Sequence, residues 1–217
     1  MKKIITLVSS MVILLTLSAK AEIGIGISGA VHSFSASGTE TLRESAKTTK
    51  ADHDEVVAVP ELFIEAISDN GFAFGFAYIP TRDLGSKART DVADATGREA
   101  GTYKAKAELE DVMQIYTDIP SIEIAGFQTH FKLGIQHVTL ASLESLNSGS
   151  KYPNETLLGY TIGYGVKGDL PYGNNLYYKG EIAYTKFNEY DSASDGANKI
   201  TADLDDTSAK LSIGYKF

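Results

Sequence analysis

From residue 23 onward the chain alternates between large apolar and small or polar side chains with a period of two. Ile23, Ile25, Ile27, Gly29 and Val31 fall on one side, and Gly24, Gly26, Ser28, Ala30 and His32 on the other. Phe72, Phe74, Phe76 and Tyr78 alternate with Ala73, Gly75 and Ala77. The pattern returns at Leu158–Lys167, Tyr178–Thr185 and Ala209–Phe217. Successive side chains of a β-strand point to opposite faces, so this spacing predicts strands. Eight are expected: 23–37, 56–68, 72–80, 105–117, 127–140, 156–168, 176–190 and 202–217. The intervals alternate in length. The segments 69–71, 118–126 and 169–175 are short and carry Asp, Asn, Gly or Pro turn signals. The segments 38–55, 81–104, 141–155 and 191–201 are longer and polar. Short turns on one side and long loops on the other is the asymmetry of membrane-spanning β-barrels, whose apolar face meets lipid while small and polar residues fill the lumen. The expected fold is an all-β, closed, antiparallel, eight-stranded transmembrane barrel, with short periplasmic turns and four longer extracellular loops.

Three positions strain simple alternation. Pro60 lies inside the second strand, where a closed barrel has no free edge for a residue without an N–H, and a bulge near the outer rim is expected there. Asp111 falls on the lipid face. Ile122 and Ile124 are out of phase with Phe127, which a bulge at Ala125-Gly126 would explain.

The N-terminus adds a compartment. Lys2 and Lys3, the apolar run Ile4–Leu17 and the small-x-small triplet Ala19-Lys20-Ala21 form the three parts of a secretory signal peptide. Cleavage after Ala21 is expected, leaving a barrel domain over 22–217. Without Lys2, Lys3 and Lys20 the chain has 17 basic and 28 acidic residues, with no basic cluster, which argues against a nucleic-acid partner. The chain has no cysteine, so disulfides and thiolate metal sites are excluded.

The last residues, Lys210-Leu-Ser-Ile-Gly-Tyr-Lys-Phe217, place Tyr215 and Phe217 two apart at the end of an amphipathic strand. This resembles the C-terminal assembly signal of bacterial outer-membrane proteins. The whole pattern resembles the small eight-stranded barrels of the OmpA and OmpX kind, without a peptidoglycan-binding domain. That resemblance implies a Gram-negative-type outer membrane and contact with its lipid and lipopolysaccharide. It also implies handling by periplasmic chaperones and the barrel assembly machinery.

Alternation places Glu61, Glu65, Glu108, Glu110, His130, Lys132, Lys179, Glu181, Lys210 and Lys216 on the inward face. Charges in a narrow barrel must be paired or wet. Eight strands leave room for little more than side chains, so a charge network plugging the lumen is expected. A small gated pore, with the same residues setting ion preference, is the alternative. Some small barrels modify lipid A with Ser, His and an acidic residue. Here His32 and Ser33 face opposite sides of one strand, and His53-Asp54 has no adjacent Ser, so no catalytic residue is assigned. No metal or cofactor is assigned either: the loop Asp191–Asn198 has oxygen ligands but lacks the calcium-loop spacing. An extracellular ligand on the loops, which mix both charge signs, is the remaining expectation. The function read from the sequence is therefore non-enzymatic, in envelope integrity or surface contact.

Overall fold

The structure, a computed structural model, describes residues 21–41, 48–91, 101–144, 153–171, 175–193 and 199–217. Ala19 and the apolar run before it lie outside these residues, as does most of the loop 191–198. Ten strands form: β1 (Glu22–Thr41), β2 (Thr48–Ile67), β3 (Ala73–Ile79), β4 (Arg82–Asp91), β5 (Gly101–Ile124), β6 (Phe127–Glu144), β7 (Glu155–Asp169), β8 (Leu176–Phe187), β9 (Tyr190–Ala193) and β10 (Lys199–Lys216). β3 with β4, and β8 with β9, each occupy one place in the wall, so eight strand positions remain. All ladders are antiparallel between sequence neighbours, and β1 also pairs with β10 from Gly24↔Lys216 to Thr41↔Lys199. That last ladder closes the ring.

The faces sort by polarity in the sense that suits lipid. Leu211 is 75% exposed and the adjacent Ser212 only 5%. Ile25, Ile27, Leu62, Ile64, Tyr160, Ile162, Ile182 and Ile213 are exposed on the outside, while Glu61, Glu65, Lys132 and Lys179 are buried within. In water this arrangement would expose far more apolar surface than a soluble protein tolerates; in a bilayer it matches the solvent on each side.

The strands outrun the expected ones. β1 and β2 continue to Thr41 and back to Thr48, and β4 fills part of the expected 81–104 loop. The expected 118–126 turn is corrected to two residues: β5 runs on to Ile124, and Ala125 (φ 52°) and Gly126 (φ 83°) make the reversal into β6. Both φ values lie in the left-handed region of the primed hairpin turns. The irregularity expected at 125–126 sits instead between Pro120 and Glu123.

Pro60 sits at no bulge, because the β1–β2 ladder runs through Gly29↔Pro60 without a register shift, and its explanation lies on the other side of β2. β2 pairs with β3 from Ile67↔Ala73 to Leu62↔Tyr78, where the ladder ends. Continued by two residues, that register would set Pro60 opposite Pro80, and neither has an N–H to give. Beyond this point β4 pairs with β5 alone, and no backbone ladder joins it to β2 among the described residues. The wall therefore has a seam between the outer halves of β2 and β4. At the same place the inward phase shifts, from Ile79 on β3 to Arg82 and Leu84 on β4. A bulge follows at Gly85 (φ 99°).

Candidate functional site: the charged lumen

The lumen is filled in three tiers. The periplasmic tier is a buried ion network. Lys179 on β8 donates to Glu65 on β2 (2.9 Å) and to Asp118 on β5 (2.6 Å). Lys132 on β6 stands 3.0 Å from Glu181 and 2.9 Å from Asp118 Oδ1, the latter at an angle too poor for a hydrogen bond. His130 lies 3.0 Å from Glu181, and the Tyr116 and Tyr177 hydroxyls donate to Glu65 at 2.6 and 2.9 Å. Alternation brings these side chains together: each occupies an inward position of its strand, and four strands, β2, β5, β6 and β8, supply them at one level. All eight are buried. Their mutual bonds meet the requirement that buried charges be paired.

Above it lies an amide and hydroxyl tier. Gln114 donates to Thr161 (3.1 Å), Gln136 to Thr185 (3.3 Å), and the two threonines bond each other (2.8 Å). Beside it sits a second charged cluster. The two ring nitrogens of His32 lie 2.7 Å from Asp206 and 3.2 Å from Glu61, and Glu61 also pairs with Lys210. Between the two charged clusters the interior void is about 10 Å³. That is room for roughly one water molecule. The outer tier is apolar: Phe34, Ile79, Leu84, Leu109, Val112 and Val138, among others, pack across the lumen. Arg82 lies where this tier meets the second cluster, its guanidinium 4.8 Å from the centre of the Phe34 ring.

Of the sequence-assigned residues, Glu61, Glu65, His130, Lys132, Lys179 and Glu181 lie buried in this network, with Lys210 close to it. Glu108 and Glu110 do not. Asp111 has φ 51° and the β5–β6 register slips between Glu110 and Met113. The bulge flips the face above it, so Leu109 points inward and is fully buried, while Glu108 pairs outside with Lys106. Lys106 also bridges to Asp83 at 2.7 Å, which lowers the Asp83 carboxyl pKa and raises that of the amine. Lys216 keeps its inward phase but lies at the periplasmic rim, against Asp169 (2.8 Å) and Glu22 (3.6 Å). Tyr215 and Phe217 pack edge to face, 4.9 Å between ring centres, and the Phe217 N–H donates to the Ile23 carbonyl. Ala21, at the expected cleavage point, immediately precedes β1.

Sequence reasoning missed Asp118, which the expected turn swallowed, and Arg82, assigned to a loop. Asp118 was within reach, because it continues the alternation of Gln114 and Tyr116. His32 and Asp206 also join the network. His32 is no nucleophile's base: both its nitrogens face carboxylates. Asp118, His130 and Glu181 offer metal-type ligand atoms within 4.8 Å of one another. Both carboxylates already share the Lys132 ammonium, so a metal ion there would meet a fixed positive charge.

No family model and no curated protein matches the sequence. Solved structures do. The outer membrane protein OprG of Pseudomonas aeruginosa is 14% identical and superposes with a TM-score of 0.58, over 91% of this chain and 97% of OprG. The outer membrane protein AlkL gives 0.48 at 12% identity, over 91% of this chain and 90% of AlkL. The outer membrane protease OmpT of Escherichia coli gives 0.44 at 13%, over 90% and 97%. The closed ring, the lipid-suited exterior and the match to OprG lead to one conclusion: this chain has the fold of the small outer-membrane β-barrel proteins.

Proposed function

We propose that this protein is a non-enzymatic outer-membrane barrel whose lumen is shut by its own side chains, and which serves the envelope through its wall and its outer loops. The observation that carries this reading is the Lys179–Glu65–Asp118–Lys132–Glu181 network, which spans the lumen from β2 to β8 and leaves a void of only about 10 Å³ between it and the His32 cluster. A hydrated ion crossing here would have to break several buried charge pairs at once, each costing several kcal/mol. Envelope integrity or surface contact then falls to the exterior and the loops. Outer-membrane lipid and lipopolysaccharide are the surroundings this reading requires. Periplasmic chaperones and the barrel assembly machinery would deliver the chain, with Tyr215 and Phe217 as the assembly signal and cleavage after Ala21. Planar-bilayer recording of the purified protein tests the plug. The expected trace is flat at moderate voltage; stable unitary steps would replace the plug with the small-pore reading.

A further inference from the structure

We infer that Arg82 is the fixed end of a binding site for an organic monocarboxylate, reached from the outer side of the β2–β4 seam. Arg82 is 97% buried, and its Nε, Nη1 and Nη2 all lack a hydrogen-bond partner, as does Asp206 Oδ1 in the adjoining cluster. A planar fork of five N–H donors seldom stands idle in a protein interior, because burying a charge without partners is costly.

Local charge explains why the cluster leaves this group free. Both nitrogens of His32 lie within hydrogen-bonding reach of carboxylates, Asp206 at 2.7 Å and Glu61 at 3.2 Å. A neutral imidazole donates from one nitrogen only, so this geometry suits the doubly protonated ring. His32, Lys210 and Arg82 then set three cations against the two carboxylates of Glu61 and Asp206. Across the tier of Gln114 and Gln136 the charges even out. Glu65, Asp118 and Glu181 face the ammonium groups of Lys132, Lys179 and, toward the periplasmic mouth, Lys167, while His130 donates to Glu181. The surplus cation of the lumen therefore lies at the outer end, where Arg82 feels the charge of Asp206 and Glu61 but donates to neither.

The surroundings define the ligand. The guanidinium fork matches a carboxylate in a bidentate pair, better than it matches a spherical ion. Phe34, Leu84, Leu109 and Ile79 form the apolar tier above it, which suits a short hydrocarbon tail and disfavours a hydrated phosphate. Arg82 is also the first residue of β4 beyond Pro80, on the strand that has no ladder to β2. Parting this seam breaks side-chain packing and no backbone ladder, so the ligand has a low-cost way in.

The test uses refolded full-length barrel in detergent, titrated with sodium hexanoate, with inorganic phosphate and with sodium chloride at fixed ionic strength, following the urea unfolding midpoint. Hexanoate is expected to raise the midpoint saturably, with phosphate and chloride giving little. R82M should abolish the shift and raise the ligand-free midpoint, because it removes an unpartnered cation. R82K, which keeps the charge and loses the fork, should bind about 10-fold more weakly. No saturable shift in the unaltered protein, an equal shift in R82M, or a response to phosphate alone would each overturn the assignment. So would a lower ligand-free midpoint for R82M, which would make Arg82 an internal partner of Asp206. If R82M does not fold, the R82K comparison and the three titrations of the unaltered protein still decide.

Discussion

Replacing Lys179 by methionine removes one ammonium and keeps nearly the same volume, so it isolates charge from packing. In the folded barrel Lys179 is almost wholly buried and donates to Glu65 at 2.9 Å and Asp118 at 2.6 Å, with Glu181 at 3.8 Å. Its loss leaves three buried carboxylates with the ammonium of Lys132 in contact and that of Lys167 farther toward the periplasmic mouth. Breaking a buried ion pair from one side costs roughly 3–5 kcal/mol, since the remaining charge stays buried without compensation. Removing the charge on the other side should return much of this: the double variant K179M/D118N is expected to be about 2 kcal/mol more stable than additivity would give, at the upper end of coupling for contacting residues. Urea titrations of the four proteins refolded into lipid vesicles, read by tryptic resistance and circular dichroism, give both figures. A K179M loss below about 1 kcal/mol, the size of an exposed pair, would refute the claim that this network is dry and closed. In bilayer recordings the same variant should show a leak that the parent lacks.

Other expectations follow from single contacts. A Cβ on Gly75 would enter the Tyr116 ring, so G75A should destabilise the barrel by about 1–3 kcal/mol through overpacking, measured in the same titrations. F217A removes the ring packed on Tyr215 and should slow assembly, seen as unfolded, heat-unmodifiable protein accumulating in the periplasm; normal assembly kinetics would exclude Phe217 from the signal. Along the seam, the β2 amides between His53 and Val59 that point toward β4 should exchange with deuterium far faster than those bonded to β1, because they have no ladder partner. The exposed Asp83–Lys106–Glu108 bridges should matter little, and D83N should leave the midpoint unchanged within error.

The sequence disclosed the wall better than its contents. Period-two alternation assigns Ile25, Leu62, Ile162 and Leu211 outward and Glu61, Glu65, Lys132 and Lys179 inward, because a pleated strand allows no other sorting over a regular stretch. It fails wherever the backbone gains a residue. The bulge at Asp111 inverts Glu108 and Glu110, and the break at Pro80-Thr81 hands the inward position to Arg82. Each leaves only a faint trace, a pair of buried apolar residues at odd spacing: Leu109 with Val112, and Ile79 with Leu84. The strand extensions are silent for a related reason. At the outer ends of β1 and β2 small and polar residues fall on both faces, so Thr39–Thr41 and Thr48–Asp54 show no alternation to read, and on β4 the buried Arg82 and Leu84 alternate with exposed Asp83 over too short a stretch to stand out. Which charges touch is a matter of stagger between strands. The His32–Asp206 pair spans the closing ladder between the first and last strands, a register that no local pattern encodes.

Oxygen and water accessibility along β10 tests the orientation of the wall most directly. The chain has no cysteine, so single nitroxide labels can be placed at each position from Ser208 to Tyr215 in vesicles. Labels at 209, 211, 213 and 215 should collide readily with dissolved oxygen and hardly at all with a polar nickel chelate, and labels at 208, 210, 212 and 214 should be shielded from both. Odd positions shielded and even positions open to the chelate would mean that the apolar face is the buried one, and the membrane-spanning barrel would have to be abandoned.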